Sequence, residues 1–110
     1  MPFWKAFADR QVEVSQAVRV ATLDIKAGVT SDEGDGDAWP ALRSKILDHD
    51  ILLFGSPIWM GQVDSVGKRV LERMDAFFSE TDEQGRMPSY GKVAVAAVVG
   101  NEYGAHFCSA

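Results

Sequence analysis

The sequence predicts an open α/β sheet with parallel strands, and three observations predict it. Ile51-Leu52-Leu53-Phe54 is an unbroken apolar run closed by Gly55-Ser56-Pro57. Val93–Val99 is a second such run, closed by Gly100. Between them, Val66, Val70, Met74, Phe77 and Phe78 recur at helical spacing. Short apolar runs bounded by turn residues suit strands covered on both faces, and a helix joining two of them makes a parallel crossover. Parallel strands share one carboxyl edge, where open α/β sheets hold their ligands.

The bulk properties bound the rest. A chain of 110 residues, 46% hydrophobic and 25% charged, is one ordinary globular domain. A net charge of −5 counts against nucleic acid and against an anionic membrane surface, both of which need a basic face. No stretch reaches the roughly 18 apolar residues of a membrane span. Met1-Pro2-Phe3-Trp4-Lys5 lacks a basic segment followed by an apolar one, so no secretory signal is visible. The single cysteine, Cys108, excludes an internal disulfide, and these features together predict a reducing cytoplasm.

Taken in order, residues 3–16 form a weak helix candidate in which Phe3 and Phe7 share a face. Residues 17–25 read as an edge strand, with Val18, Val20, Leu23 and Ile25 apolar and Arg19 and Asp24 charged. Residues 28–37 are an acidic, glycine-rich solvated loop. Asp32, Glu33, Asp35 and Asp37 resemble a calcium loop only superficially. Arg43 stands where the closing glutamate would be if Asp32 opened it.

Asp37 is placed to cap a helix whose first turn tolerates Pro40, with Trp39, Leu42, Ile46 and Leu47 on its buried face. Asp48-His49-Asp50 turns the chain into the central strand, and His49 belongs to that turn rather than to chemistry. Residues 55–61 form a short loop, and Asp64-Ser65 start the next helix. Lys68, Arg69, Glu72, Arg73 and Asp75 are assigned to its solvent side. Residues 79–92 form a long polar connection, suited to an oligomer contact or a lid.

Three loops are expected to gather at the carboxyl edge: 26–38, 55–61 and 100–106. The last two pair small residues with planar or soft side chains, Trp59 and Met60 in one, Tyr103 and His106 in the other. That chemistry suits a flat, partly polar aromatic ligand, stacked on rings and hydrogen-bonded by backbone amides.

Ser56-Pro57-Ile58-Trp59-Met60-Gly61, then Lys68-Arg69-Val70-Leu71-Glu72-Arg73, then Val99-Gly100-Asn101-Glu102 with Gly104-Ala105-His106, resemble the flavodoxin-like NAD(P)H-dependent FMN reductase family. The likeness runs back through Asp37-Ala38-Trp39-Pro40 and covers residues from about 18 to 107. It implies one flavodoxin-like domain over residues 1–110, a three-layer open parallel sheet. It also implies FMN as cofactor, NAD(P)H as co-substrate and a small-molecule electron acceptor. Carried over by position, Ser56, Pro57, Ile58, Trp59, Met60 and Gly61, with Gly100, Asn101, Glu102, Tyr103, Gly104 and His106, become flavin contacts. No side chain is given a catalytic proton-transfer role, no metal is expected, and the family implies a homo-oligomer, dimer or tetramer.

The departures set further expectations. The family's first strand and Ser/Thr-rich phosphate loop have no counterpart, since residues 1–17 hold one serine. The last strand and helix are missing too, and Tyr103 stands where the family usually has an acidic residue. The chain therefore reads as the middle of a family member, with two alternative functions: a flavodoxin-type electron carrier, or a non-catalytic α/β remnant.

Overall fold

The computed structural model describes residues 5–110. A short helix, α1 (Lys5–Ala8), is all that forms of the helix expected over 3–16, whose first two residues lie outside the described ones. The strand expected over 17–25 does not form. A single 3₁₀ turn, Val20–Thr22, interrupts irregular backbone there. Its physical reason is pairing: the backbone bonds of this stretch are two local turns, Thr22 to Arg19 and Leu23 to Val20, and one donated by Ala38 to Asp24, with no ladder, and strand conformation without a ladder is not self-supporting.

Helix α2 (Trp39–Leu47) forms as its spacing predicts. Trp39 and Leu42 are buried, with Ile46 and Leu47 packed against the same cluster. The Asp37 carboxylate accepts from the Trp39 amide at 3.1 Å, while Ala38 holds the N-cap position itself. At the far end, His49 Nδ1 lies 2.6 Å from the Lys45 carbonyl, so this histidine belongs to the turn. The Lys92 ammonium donates to the carbonyls of Leu47 at 2.6 Å and His49 at 2.7 Å.

Strand β1 (Ile51–Trp59) runs further than expected, straight through the predicted loop. It turns at Met60-Gly61 into β2 (Gln62–Val63), pairing antiparallel with Trp59 opposite Gln62. Helix α3 (Ser65–Met74) follows and ends in a 3₁₀ turn, Asp75–Phe78. Strand β3 (Val93–Val99) lies parallel to β1, with Ile51 opposite Val93 and Pro57 opposite Val99. The sheet order is β2-β1-β3. A last short helix, α4 (Ala105–Ser109), closes the described chain. Two parallel strands and an antiparallel tip thus replace three parallel strands.

Ile25, Trp39, Leu42, Val70 and Phe77 form one buried apolar cluster, with Phe54 and Met74 packed against it. It lies between α2, α3 and one face of β1. Strand β3 is expected to be covered on both faces, yet Val93 and Val99 are exposed and none of its residues is fully buried. Phe78, expected in the core, is also exposed, since the 3₁₀ turn changes the spacing after Met74.

Arg73 is the largest correction. Assigned to solvent, it is fully buried in an ion pair with Asp37, both side chains at 0% exposure. Its two terminal nitrogens grip the two Asp37 oxygens at 2.9 and 2.7 Å. Nε donates to the Thr30 carbonyl and a terminal nitrogen to that of Lys26. Asp37 also accepts the amides of Lys26 and Glu33. The acidic loop is therefore tied to the second half of α3, about 12 Å along the helix from its start at the hairpin. It does not join the other two loops through any of these bonds.

The Arg73 hydrogen bonds hold the Asp37 carboxyl well below the usual carboxylate range, against the opposing effect of burial and with help from the Glu33, Trp39 and Lys26 amides. A carboxyl lowered on folding contributes stability that is complete above its unfolded value of about 4 and is lost as pH falls below it. Asp37→Asn leaves Arg73 charged, buried and unpaired. It is expected to reduce unfolding free energy by about 3–5 kcal/mol at neutral pH. In urea titrations that gap from wild type should narrow below about pH 4.

Candidate functional site

Register builds the site. Because Pro57 stands opposite Val99, Trp59 and Asn101 each lie two residues past the last paired positions of neighbouring strands. Strands in one sheet are about 4.8 Å apart, so the two following turns must be adjacent. The first is a two-residue hairpin in which Met60 has φ +52° and Gly61 φ +74°. Positive φ at both central residues gives a turn whose twist matches that of the strands. The sequence signal for it is Met-Gly flanked by Ile58 and Val63, which the loop expected over 55–61 passes over.

The second turn packs directly on the first. A Cβ at Gly104, where φ is +130°, would lie 2.6 Å from the Gly61 Cα. The Gly61 amide donates to the Glu102 carboxylate at 3.4 Å. The Cys108 thiol approaches the Gly61 carbonyl at 3.8 Å, a contact that no sequence pattern indicated. Below the turns, a Cβ at Gly100 would come 2.8 Å from the Ile58 Cβ.

The twelve expected contact residues therefore divide. Trp59, Met60 and Tyr103 project into solvent at 63%, 90% and 97% exposure, around the touching glycines. Pro57, Asn101, Glu102 and His106 are exposed beside them. Ser56 and Ile58 point inward. Ser56 Oγ accepts the Asp64 amide at 3.0 Å and donates to the Pro57 carbonyl, joining the end of β1 to the start of α3. Asp64 in turn accepts the Gly67 amide at 2.6 Å, the helix start its sequence predicts. Phe107, not among the expected contacts, adds a further exposed ring.

This donor set can be tested against a flavin. The amides of Asn101, Glu102, Tyr103 and Gly104 donate to no acceptor among the described residues. Free amides beside exposed aromatic rings match a flat heterocycle with carbonyls along one edge. The ring would be held by Trp59 and Tyr103 and its polar edge by residues 101–104.

The profile of the NADPH-dependent FMN reductase family matches residues 4–110. The chain belongs to this family. It is 32% identical over 101 residues to 8-demethyl-8-aminoriboflavin-5'-phosphate synthase of Streptomyces davaonensis, covering 84% of this chain and 39% of that protein. The crystal structure of RosB with bound 8-demethyl-8-formylriboflavin-5'-phosphate matches with a TM-score of 0.79 at 29% identity, over 94% of this chain and 44% of that one. A divalent metal cation transporter, MntH, of Mycobacterium bovis is 38% identical over 96 residues, 84% of this chain but 14% of the transporter.

The chain spans less than half the length of these relatives. Its fold is accordingly flavodoxin-like α/β, and no helix among the described residues is long and apolar enough to cross a membrane.

Gly104→Ala adds a methyl group where backbone already stands and forces a residue with a side chain to φ +130°. A loss of about 1–3 kcal/mol is expected. Thermal unfolding measures it, and amide chemical shifts should change at Gly61 across the contact.

Proposed function

We propose that the chain forms the ring-binding part of an FMN-dependent oxidoreductase. The observation that carries the reading is the pairing of exposed Trp59 and Tyr103 with four acceptor-free amides, in a member of the FMN reductase family. Its relatives support it, since the Streptomyces davaonensis synthase is named for a riboflavin phosphate and RosB was crystallised with one bound. The matched part of the metal transporter is 14% of that protein.

The chemistry that bound FMN supplies is two-electron transfer from NAD(P)H to a flavin, quinone or similar small acceptor. The protein's part is positional. Trp59 stacks on or shields the ring, Tyr103 and Met60 limit water beside it, and the 101–104 amides fix its polar edge. Homo-oligomer formation belongs to the same reading, with the exposed rings of Trp59, Tyr103 and Phe107 covered in a dimer or tetramer.

The test is a titration with FMN followed by anaerobic NADPH. Flavin fluorescence should be quenched on binding, and NADPH should bleach the flavin absorbance. Binding without bleaching identifies an electron carrier instead, and no binding rejects the flavin reading. Trp59→Ala should weaken FMN roughly two- to tenfold, the size of one aromatic stacking contact of about 0.5–1.5 kcal/mol.

A further inference from the structure

A cavity of about 510 Å³ lies between α2 and the 79–92 connection, and it shares no residue with the two turns. That volume falls in the roughly 300–1,000 Å³ range of small-molecule sites. Arg43 and Glu80 contribute one ion pair to its lining, and Asp82 and Arg86 a second. Met87, Pro88 and Tyr90 add apolar surface beside the charges.

The connection holds its charged groups through its own backbone. The Asp82 amide donates to the Arg86 carbonyl at 2.9 Å, and the Asp82 carboxylate accepts the amides of Gln84 and Arg86. Tyr90 closes a second turn by donating its amide to the Met87 carbonyl at 2.9 Å. The Arg86 guanidinium carbon stands 5.3 Å from the Tyr90 ring and so ties the two turns together.

These ion pairs leave capacity on both sides. A guanidinium has five N–H donors, and Arg43 uses one of them, on Glu80. Its Nε is buried with no acceptor among the described residues. Arg86 uses Nε alone, on Asp82 at 2.8 Å. Glu80 accepts one bond from Ser31 and one from Arg43, two of the roughly four that a carboxylate can take. Both carboxyls are held below their ordinary range, Glu80 chiefly by Ser31 and Asp82 chiefly by the Arg86 amide, and are ionised at neutral pH.

The signs of the charges select the ligand. Two cations and two carboxylates sum to zero, so a lone anion meets as much repulsion as attraction, and a lone cation does too. A molecule carrying both charges on neighbouring atoms sets each against its opposite. The apolar surface of Met87, Pro88 and Tyr90 then suits an uncharged tail.

We propose that this cavity is a binding site for a small apolar α-amino acid in its zwitterionic form. The guanidiniums of Arg43 and Arg86 take its carboxylate, Glu80 and Asp82 take its ammonium, and its side chain lies against Met87 and Tyr90.

Amide NMR on the full chain, titrated with L-leucine, tests it. The half-analogues are 4-methylpentanoate, which keeps the carboxylate, and 3-methylbutylamine, which keeps the ammonium. Leucine is expected to shift amides between Thr81 and Tyr90 and to leave those of Gly61 and Asn101 unmoved. Each half-analogue should bind at least about tenfold more weakly, the loss of one charge-assisted contact. Arg86→Gln keeps the backbone bonds to Asp82, so it should weaken leucine by a similar factor while thermal unfolding stays close to wild type. Binding of either half-analogue as tight as leucine overturns the proposal in favour of a plain anion or cation site. No shift with leucine in millimolar excess, or undiminished binding by Arg86→Gln, overturns it in favour of a self-paired surface.

Discussion

The buried pair of Arg73 and Asp37 is the constraint from which the helical layer takes its form. Neither group reaches solvent, so their desolvation must be offset by near-complete hydrogen bonding. The guanidinium does this by reaching two loop carbonyls besides the carboxylate, and the carboxylate by collecting three amides. A segment as acidic and glycine-rich as 26–38 has little apolar surface to bury. It is nevertheless ordered, because one cation from α3 gathers it. The same pair seats Trp39, whose ring lies 5.8 Å from the Arg73 guanidinium carbon, and so sets α2 against α3.

A second polar junction extends this arrangement outward. Glu80 accepts from Arg43 and from Ser31, joining α2, the acidic loop and the start of the 79–92 connection. These bonds lower the Glu80 carboxyl below its ordinary range, Ser31 contributing most. The helical side of the molecule is thus held by charge as well as by apolar packing, whereas the sheet side rests on the β1–β3 ladder and on the turns and short helix beside it.

Much of this was legible in the sequence because apolar spacing reports directly on burial. Trp39, Leu42, Val70 and Phe77 announced their faces, and the two apolar runs announced β1 and β3. Arg73 was not legible, since a charged residue on a helix normally marks solvent, and its partner lies 36 positions earlier in a loop. The residues 17–25 carried strand composition but no information about a partner, and a strand exists only as one side of a ladder. The side-by-side turns were legible from the order of strands. Their glycine contact was not, because the closeness of Gly61 to Gly104 follows from the hairpin at Met60-Gly61.

Lys92 adds a consequence of its own. Its ammonium bridges the last carbonyl of α2 and that of His49 just beyond it, one residue before the β1–β3 ladder begins. An amine engaged in this way is shielded from acylating reagents for as long as the strands stay in register. Its rate of labelling is therefore a built-in reporter of sheet opening, distinct from the reactivity of the solvent-facing lysines.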